Sequence, residues 1–147
     1  MPAPSTQFSI AVHVLAALAH YEGYFTSEHL AGSVNANPIF VKKILVKLSK
    51  ANLVDSAVGK SGGYALARSA ESISLFDIFS AVDPPSASAV HTYPVNADCV
   101  ISSNIQEVMA DVLTDIQVAV EKQLRGTTLA NVVSRIKAKV EAPFDQN

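Results

Sequence analysis

The clearest alternation of hydrophobic and polar positions lies in residues 37–50. Apolar residues recur there at spacings of three and four, at Val41, Ile44, Leu45 and Leu48, which predicts a helix with one buried stripe. Asn37-Pro38 is a strong helix start, because asparagine can accept an N–H of the first turn and proline has no N–H to lose at the first helical position. We therefore predict a helix that ends near Lys50, with Asn52 as a left-handed cap.

Two further helices are predicted before this one. Ser5, Thr6 or Gln7 opens the first helix, which has a wide apolar face and ends before Gly23. The second is short, starts at Thr26 and ends near residues 32–33. Two helices joined by a short turn, the second of them basic, are typical of a helix-turn-helix, whose second helix enters the DNA major groove by its N-terminal end.

A glycine-rich hairpin follows the basic helix. Residues 53–57 and 64–67 have the composition of strands, and the loop between them, residues 58–63, contains three glycines that permit a tight turn. The Gly-Lys-Ser in this loop is no nucleotide-binding P-loop, since the first glycine of that motif would be position 54, which is Val54. A helix-turn-helix followed by such a hairpin predicts a mainly α fold with a small β-wing.

The second half of the chain predicts a loop between helices. Ser74 caps a short helix that ends near Val82, residues 83–98 have no periodicity, and Ser102 or Ser103 is expected to cap a long helix, with Gln106 completing a capping box. A final helix is predicted from residues 127–128. This gives a DNA-binding domain at residues 1–82, a hinge or sensor loop at 83–101 and dimerisation helices at 102–141.

The long helix carries a heptad seam. Its positions are Ile105, Met109, Val112, Ile116 and Ala119. A seam of this length needs a partner helix, which is either the first helix of the same chain or a second copy. We favour a symmetric homodimer, because the apolar surface is wider than one narrow stripe.

Charge is distributed unevenly along the chain. The net charge is −2, but residues 42–68 carry six basic residues and one acidic residue, which gives +5 there and −7 elsewhere. A segregated positive surface is what contact with DNA phosphates requires. A solvated lysine face is the alternative that charge alone leaves open.

Composition limits the other classes of protein. The chain has 147 residues, is 49% hydrophobic and contains one cysteine, so it can bury a core but cannot form an internal disulfide. No apolar stretch reaches the ~20 residues of a membrane span and no signal peptide is recognisable, so we expect a soluble, cytoplasmic protein without a membrane partner. His13 and His20 lack further ligands nearby, and we predict neither a metal site nor a cofactor.

Several segments together are similar to one family. They are Phe8–His13, Ser27–Ala31, Asn37-Pro38, Leu48–Val54, the wing Gly59–Ala67, Ile73–Leu75 with Ala81-Val82, and Thr128–Ala130. These segments resemble the Rrf2 family of winged helix-turn-helix transcriptional regulators over nearly the whole chain. The resemblance implies a dimer whose long helices cross between protomers and whose recognition helices enter successive major grooves.

The resemblance also implies which residues face DNA. Asn37, Ile39 and Lys43 match positions that read bases, and residues 5–7 match a segment that touches phosphate. Many members have an arginine before the first wing glycine, where this chain has Val58, and Lys60 is its expected substitute. The predicted DNA-binding residues are Ser5, Thr6, Gln7, Asn37, Ile39, Phe40, Lys42, Lys43, Lys47, Lys60, Ser61 and Gly62.

The loop before the long helix suggests a sensor. Iron–sulfur members of the family use three cysteines there, whereas this chain has Cys99 alone, so we predict no cluster. A helix N-terminus favours a thiolate, and the neighbouring Asp98 opposes it. Three alternatives stay open: a redox switch at Cys99, a small-molecule effector near His91, Tyr93 and Cys99, or a structural thiol.

These observations predict a sequence-specific DNA-binding regulator, a repressor that binds a near-palindromic operator as a homodimer. The alternative is a protein-interaction module of the same fold that docks a partner protein and no longer binds DNA. An enzyme with Cys99 as nucleophile and His91 as base is not expected, since neither an oxyanion-hole motif nor an orienting acid is recognisable.

Overall fold

Six α-helices and one antiparallel pair of strands make up the part of the chain that the computed structural model describes, residues 5–83 and 90–142. In chain order they are α1 (Thr6–Tyr21), α2 (Ser27–Val34), α3 (Pro38–Lys50), β1 (Val54–Ala57), β2 (Gly63–Leu66), α4 (Leu75–Val82), α5 (Val100–Arg125) and α6 (Leu129–Glu141), with a 3-10 turn at Ala70–Ser72. This is the expected mainly α fold with a small wing. The predicted hinge falls partly on residues 84–89, which lie outside the described residues.

Helix α1 is the centre of the hydrophobic core. It packs against α2, α3, α4 and α6, and Val14 and Leu15 are fully buried. The stripe predicted for α3 is confirmed, since all four of its residues are buried: Val41, Ile44, Leu45 and Leu48. The core therefore fixes which face of α3 is left for solvent.

Most helix starts are where the sequence placed them. The side chains of Ser5, Thr26, Asn37 and Thr128 each accept a backbone N–H of their own first turn, and Ser74 forms a capping box with Asp77. Helix α2 runs to Val34 rather than ending near residues 32–33, because the left-handed residue that closes it is Asn35, with φ of 63°.

The wing is joined to the entrance of α2. Within the hairpin, Val54 pairs with Leu66 and Ala57 with Gly63. Tyr64 and Phe25 exchange backbone hydrogen bonds of 2.8 and 2.9 Å. Gly63 has φ of 131°, and a Cβ there would collide with the Phe25 carbonyl, so only glycine fits this close approach.

The predicted N-cap of α5 is wrong by three or four residues. The helix begins at Val100, and its N-cap is Cys99, whose sulfur accepts the Ser102 N–H at 3.5 Å. The Ser102 hydroxyl accepts the N–H of Asn96 instead of capping. Gln106 donates to the Tyr93 carbonyl at 3.0 Å, so the expected capping box with Ser103 does not form. The helices of the C-terminal part thus start at 100 rather than 102.

Helix α5 is largely unburied in the single chain. Leu124 is its one buried residue, and its main contacts with the rest of the fold are with α4. The C-terminal helix that packs against α1 is α6 rather than α5. The heptad seam of α5 therefore does not pack on α1 of the same chain.

Candidate nucleic-acid interface

The N-terminal half of α3 presents exposed side chains. The Asn37 side chain accepts the N–H of Ile39 at 2.9 Å and so fixes the first turn. Ile39 and Phe40 are 68% and 36% exposed, and Lys42 and Lys43 are exposed as well. Because the opposite stripe is buried, these residues share the outward surface of a rigidly packed helix, which is the geometry that reads base edges in a major groove.

The start of α1 lies beside the C-terminal half of α3. Lys47 donates to the Gln7 side-chain oxygen at 2.9 Å. Ser5 is bound by Asp83, with its backbone N–H at 3.0 Å and its hydroxyl at 2.6 Å from carboxylate oxygens. The structure thus brings Gln7, and with it the exposed Thr6, next to the basic helix, although they are forty residues from it in sequence.

The wing loop bends towards the N-terminus of α2. Lys60, Ser61 and Gly62 border an open cavity of about 530 Å³ whose other lining residues are Tyr24, Phe25, Thr26 and His29. The turn is closed by the Gly62 N–H, which donates to Gly59 at 3.0 Å. Val58 is fully exposed. The lysine of the wing consequently lies next to the helix-turn-helix rather than apart from it.

Tyr24 and His29 were not singled out by the sequence. The rings of His29 and Phe25 stack with centroids 5.2 Å apart, and both residues flank the cavity beside Lys60. No sequence pattern signals this neighbourhood, because it depends on the Phe25–Tyr64 pairing across nearly forty residues. Arg68, counted in the basic segment, forms an ion pair with Asp77 at 3.0 Å, so part of its charge is neutralised within the chain.

The three residues proposed as a sensor lie at the start of α5 and on the segment that leads to it. The rings of His91 and Tyr93 lie 5.6 Å apart, on an exposed segment. Cys99 is half-buried, donates its N–H to Asn96 at 3.0 Å and accepts from Ser102. The contacts join His91 to Tyr93, Tyr93 to Gln106 of α5, and Cys99 to the first turn of the same helix.

The sequence of this chain is similar to that of known transcriptional regulators. The sequence model of the Rrf2 family, described as iron-dependent transcriptional regulators, matches residues 4–135. The chain belongs to the Rrf2 family. It is similar to YwnA of Bacillus subtilis (strain 168), which is named as an HTH-type transcriptional regulator, with 29% identity over 133 residues, covering 90% of this chain and 98% of YwnA.

Solved structures have the same fold. A crystal structure of a protein assigned as a transcriptional regulator, from Lactobacillus plantarum, superposes with a TM-score of 0.76 at 31% identity, covering 89% of each chain. CymR, the global cysteine regulator of B. subtilis, superposes with a TM-score of 0.68 at 26% identity, covering 92% of this chain and 98% of CymR. The chain is thus an Rrf2-family transcriptional regulator of the winged helix class, and its relatives are regulators rather than enzymes.

The donor set of this chain does not fit the iron of the family description. Cys99 is the one cysteine of the sequence, and a protein-bound iron–sulfur cluster needs several thiolate or imidazole ligands. Across residues 5–83 and 90–142, no three His, Cys, Asp or Glu side chains come together as metal ligands. No step of the mechanism is therefore assigned to iron.

None of the helices in residues 5–83 and 90–142 combines the length and the hydropathy of a membrane span.

Proposed function

We propose that the protein is a sequence-specific, homodimeric DNA-binding regulator that acts in the cytoplasm as a repressor on a near-palindromic operator. The observation that carries the proposal is the surface of α3: a fully buried stripe opposite exposed Ile39, Phe40, Lys42 and Lys43. Membership of a family of transcriptional regulators supports it.

The proposal divides the interface into two kinds of contact. Asn37, Ile39 and Lys43 lie on the first turns of α3, the part of a recognition helix that reaches base edges. Lys47, on the C-terminal half of α3 beside Gln7, and Lys60, on the wing loop, are assigned to phosphates, which position the protein without reading sequence. Ser5 has a lesser part in this scheme than the sequence suggested, because its hydroxyl is bound by Asp83.

The exposed seam of α5 supports the homodimer. Val112 and Ile116 are 41% and 51% exposed in the single chain, and contiguous exposed apolar surface of this kind marks an association site. A two-fold axis through paired α5 helices would present two copies of α3 on one face, as a near-palindromic operator requires.

The regulator is proposed to work without an iron–sulfur cluster, since its donor set does not fit one. Its signal is assigned to the start of α5, by oxidation of the Cys99 thiol or by a small molecule bound near His91 and Tyr93. Either event would act on the cap of the helix that joins the two protomers.

Salt dependence tests DNA binding itself. Fluorescence anisotropy of a labelled mixed-sequence duplex is measured against the purified protein at several salt concentrations. If the surface contacts phosphates, the logarithm of the association constant falls linearly with the logarithm of the salt concentration. The slope should correspond to the release of several counterions. No binding at low salt, or an affinity that does not change with salt, would contradict the proposal and favour a protein-docking module.

A further inference from the structure

The cavity between the wing loop and the start of α2 is lined by hydrogen-bond donors. Lys60 contributes an ammonium group, His29 an imidazole ring, and Tyr24 and Ser61 hydroxyl groups. None of the residues that line the cavity is acidic. Side chains of these types, with no carboxylate among them, are those that bind an anion.

The charge inside the cavity is positive. Lys60 is the one charged residue of the wing loop, residues 58–63. Among the residues that the structure describes, the ion pair found is Arg68 with Asp77, so Lys60 is not neutralised by a carboxylate there. Glu28, which precedes His29, accepts the hydroxyl of the neighbouring Ser27 at 3.3 Å and does not line the cavity.

The His29 ring is held in place by the same contact that positions the wing. It stacks on the ring of Phe25 with centroids 5.2 Å apart. The backbone of Phe25 exchanges two hydrogen bonds with Tyr64, which lies at the end of the wing loop. The imidazole of α2 and the lysine of the wing are thus presented by one connected unit, and a ligand that binds both has little ordering cost to offset.

The place of the cavity favours a phosphate of the DNA backbone as its occupant. Helix α2 packs directly on α3, and in a helix-turn-helix the first of the two helices crosses the DNA backbone. The cavity is open to solvent, so a free anion would be held by these few groups alone. A phosphate of a duplex is held in addition by the contacts of α3, which raises its effective concentration at the cavity.

We propose that Lys60, His29 and Tyr24 together bind one phosphate of the DNA backbone in the cavity between the wing and α2. The inference rests on the proposed DNA binding and adds to it two residues outside the basic segment.

A histidine in this place makes DNA binding depend on pH. Histidine changes its charge between about pH 5 and 8, and a neighbouring phosphate stabilises its charged form. Binding therefore takes up a proton on His29, and the affinity for DNA is expected to be higher at about pH 6 than at about pH 8. Lysine and tyrosine side chains do not ordinarily change charge in this range.

Anisotropy titrations at two pH values test the site. The natural chain, His29→Gln and His20→Gln are titrated against the labelled mixed-sequence duplex at several salt concentrations, at about pH 6 and at about pH 8. Glutamine keeps an N–H donor but cannot become charged. His20 is the matched control, because it is also an exposed histidine and does not line the cavity.

The natural chain and His20→Gln should bind about threefold or more tightly at the lower pH, with a salt slope steeper by up to about one counterion. His29→Gln should have the same salt slope at both pH values. A pH effect that is unchanged in His29→Gln would overturn the site and leave DNA binding standing, and a cavity that binds only a free anion would give this same result. No binding by the natural chain at either pH would overturn the proposed function as well.

Neutral backbone groups show whether the residues share one phosphate. Each phosphate of a duplex that the natural chain binds at a single position is replaced in turn by an uncharged methylphosphonate. At one position the replacement should weaken binding by the natural chain but leave Lys60→Ala and His29→Gln unaffected, because these variants have already lost a contact to it. Tyr24→Phe should show a reduced effect at that same position. Lys60→Ala and His29→Gln that become insensitive at two different phosphates would overturn the shared site.

Discussion

Lys43 and Lys60 are both exposed lysines of the basic segment, but the fold gives them different surroundings. Lys43 lies on the outward face of α3, in the second turn after the Asn37 cap. Lys60 lies on the wing loop, at the edge of the cavity beside α2. The first position suits a base edge and the second a phosphate.

Substitution of each lysine separates these two roles. Lys43→Ala is expected to cost ~1–3 kcal/mol on the operator and to relax specificity at one base pair, whereas Lys60→Ala should weaken all sequences alike and lower the salt slope by about one. Anisotropy titrations on operator and mixed-sequence duplexes measure both quantities. Equal losses on the two duplexes for both variants would contradict the assignment.

For individual residues, the sequence predicted the features that depend on residues close by in the chain. The Asn37 cap, the buried stripe of α3 and the left-handed Asn52 follow from spacing and residue type. Contacts between residues distant in sequence have no such local pattern, because they depend on how the helices pack. Examples are the Ser5–Asp83 and Lys47–Gln7 hydrogen bonds and the position of His29 beside the wing. The assignment of individual residues to bases or phosphates stays a prediction.

The wing depends on one close backbone approach. Gly63→Ala is expected to destabilise the hairpin and to weaken DNA binding, because the new Cβ collides with the Phe25 carbonyl at a φ that side chains rarely adopt. Urea unfolding and anisotropy measure the two effects.

Gly32→Ala is the matched control for the wing. It lies inside α2 with no atom within 4 Å of the added Cβ, so it should instead stabilise the protein by ~0.5–1 kcal/mol. A Gly63→Ala protein as stable and as active in DNA binding as the Gly32→Ala protein would show that the strand–helix contact is not required.

Oxidation of Cys99, one of the two proposed signals, would act on the N-terminal cap of α5. Mild peroxide is expected to lower operator affinity of the natural chain, because oxidation adds oxygen to the sulfur that accepts the Ser102 N–H and so changes the geometry of the cap. Cys99→Ser should bind DNA normally and not respond to peroxide, since serine is itself a preferred N-cap. An equal peroxide response of both proteins would exclude Cys99 as the redox switch.

Among the elements, every predicted helix is present, and the errors are confined to ends. Cys99 rather than Ser102 or Ser103 caps α5, and the Ser102 hydroxyl accepts the N–H of Asn96. This contact between the loop and the helix cannot be predicted from the local sequence pattern. The 3-10 turn at Ala70–Ser72 was likewise not anticipated, since three residues carry too short a pattern to recognise.

At the scale of the whole molecule, the exposed apolar residues of helix α5 are the basis of the proposed homodimer. Ile116→Lys is expected to shift the protein to monomer and to lower operator affinity at least tenfold, because it places a charge in the apolar seam. Val118→Lys is the matched control, since Val118 is 61% exposed and lies on the opposite side of the same helix. Light scattering that finds both variants dimeric would place the interface elsewhere.

We propose that α3 reads a two-fold DNA site in a dimer, and selection from a random DNA pool by the purified, reduced protein is the experiment to make first. We expect an enriched near-palindrome with half-sites about one helical turn apart, ~34–36 Å. A protein carrying Lys43→Ala and Asn37→Ala should not enrich this sequence. A pool that stays random after repeated rounds would contradict it.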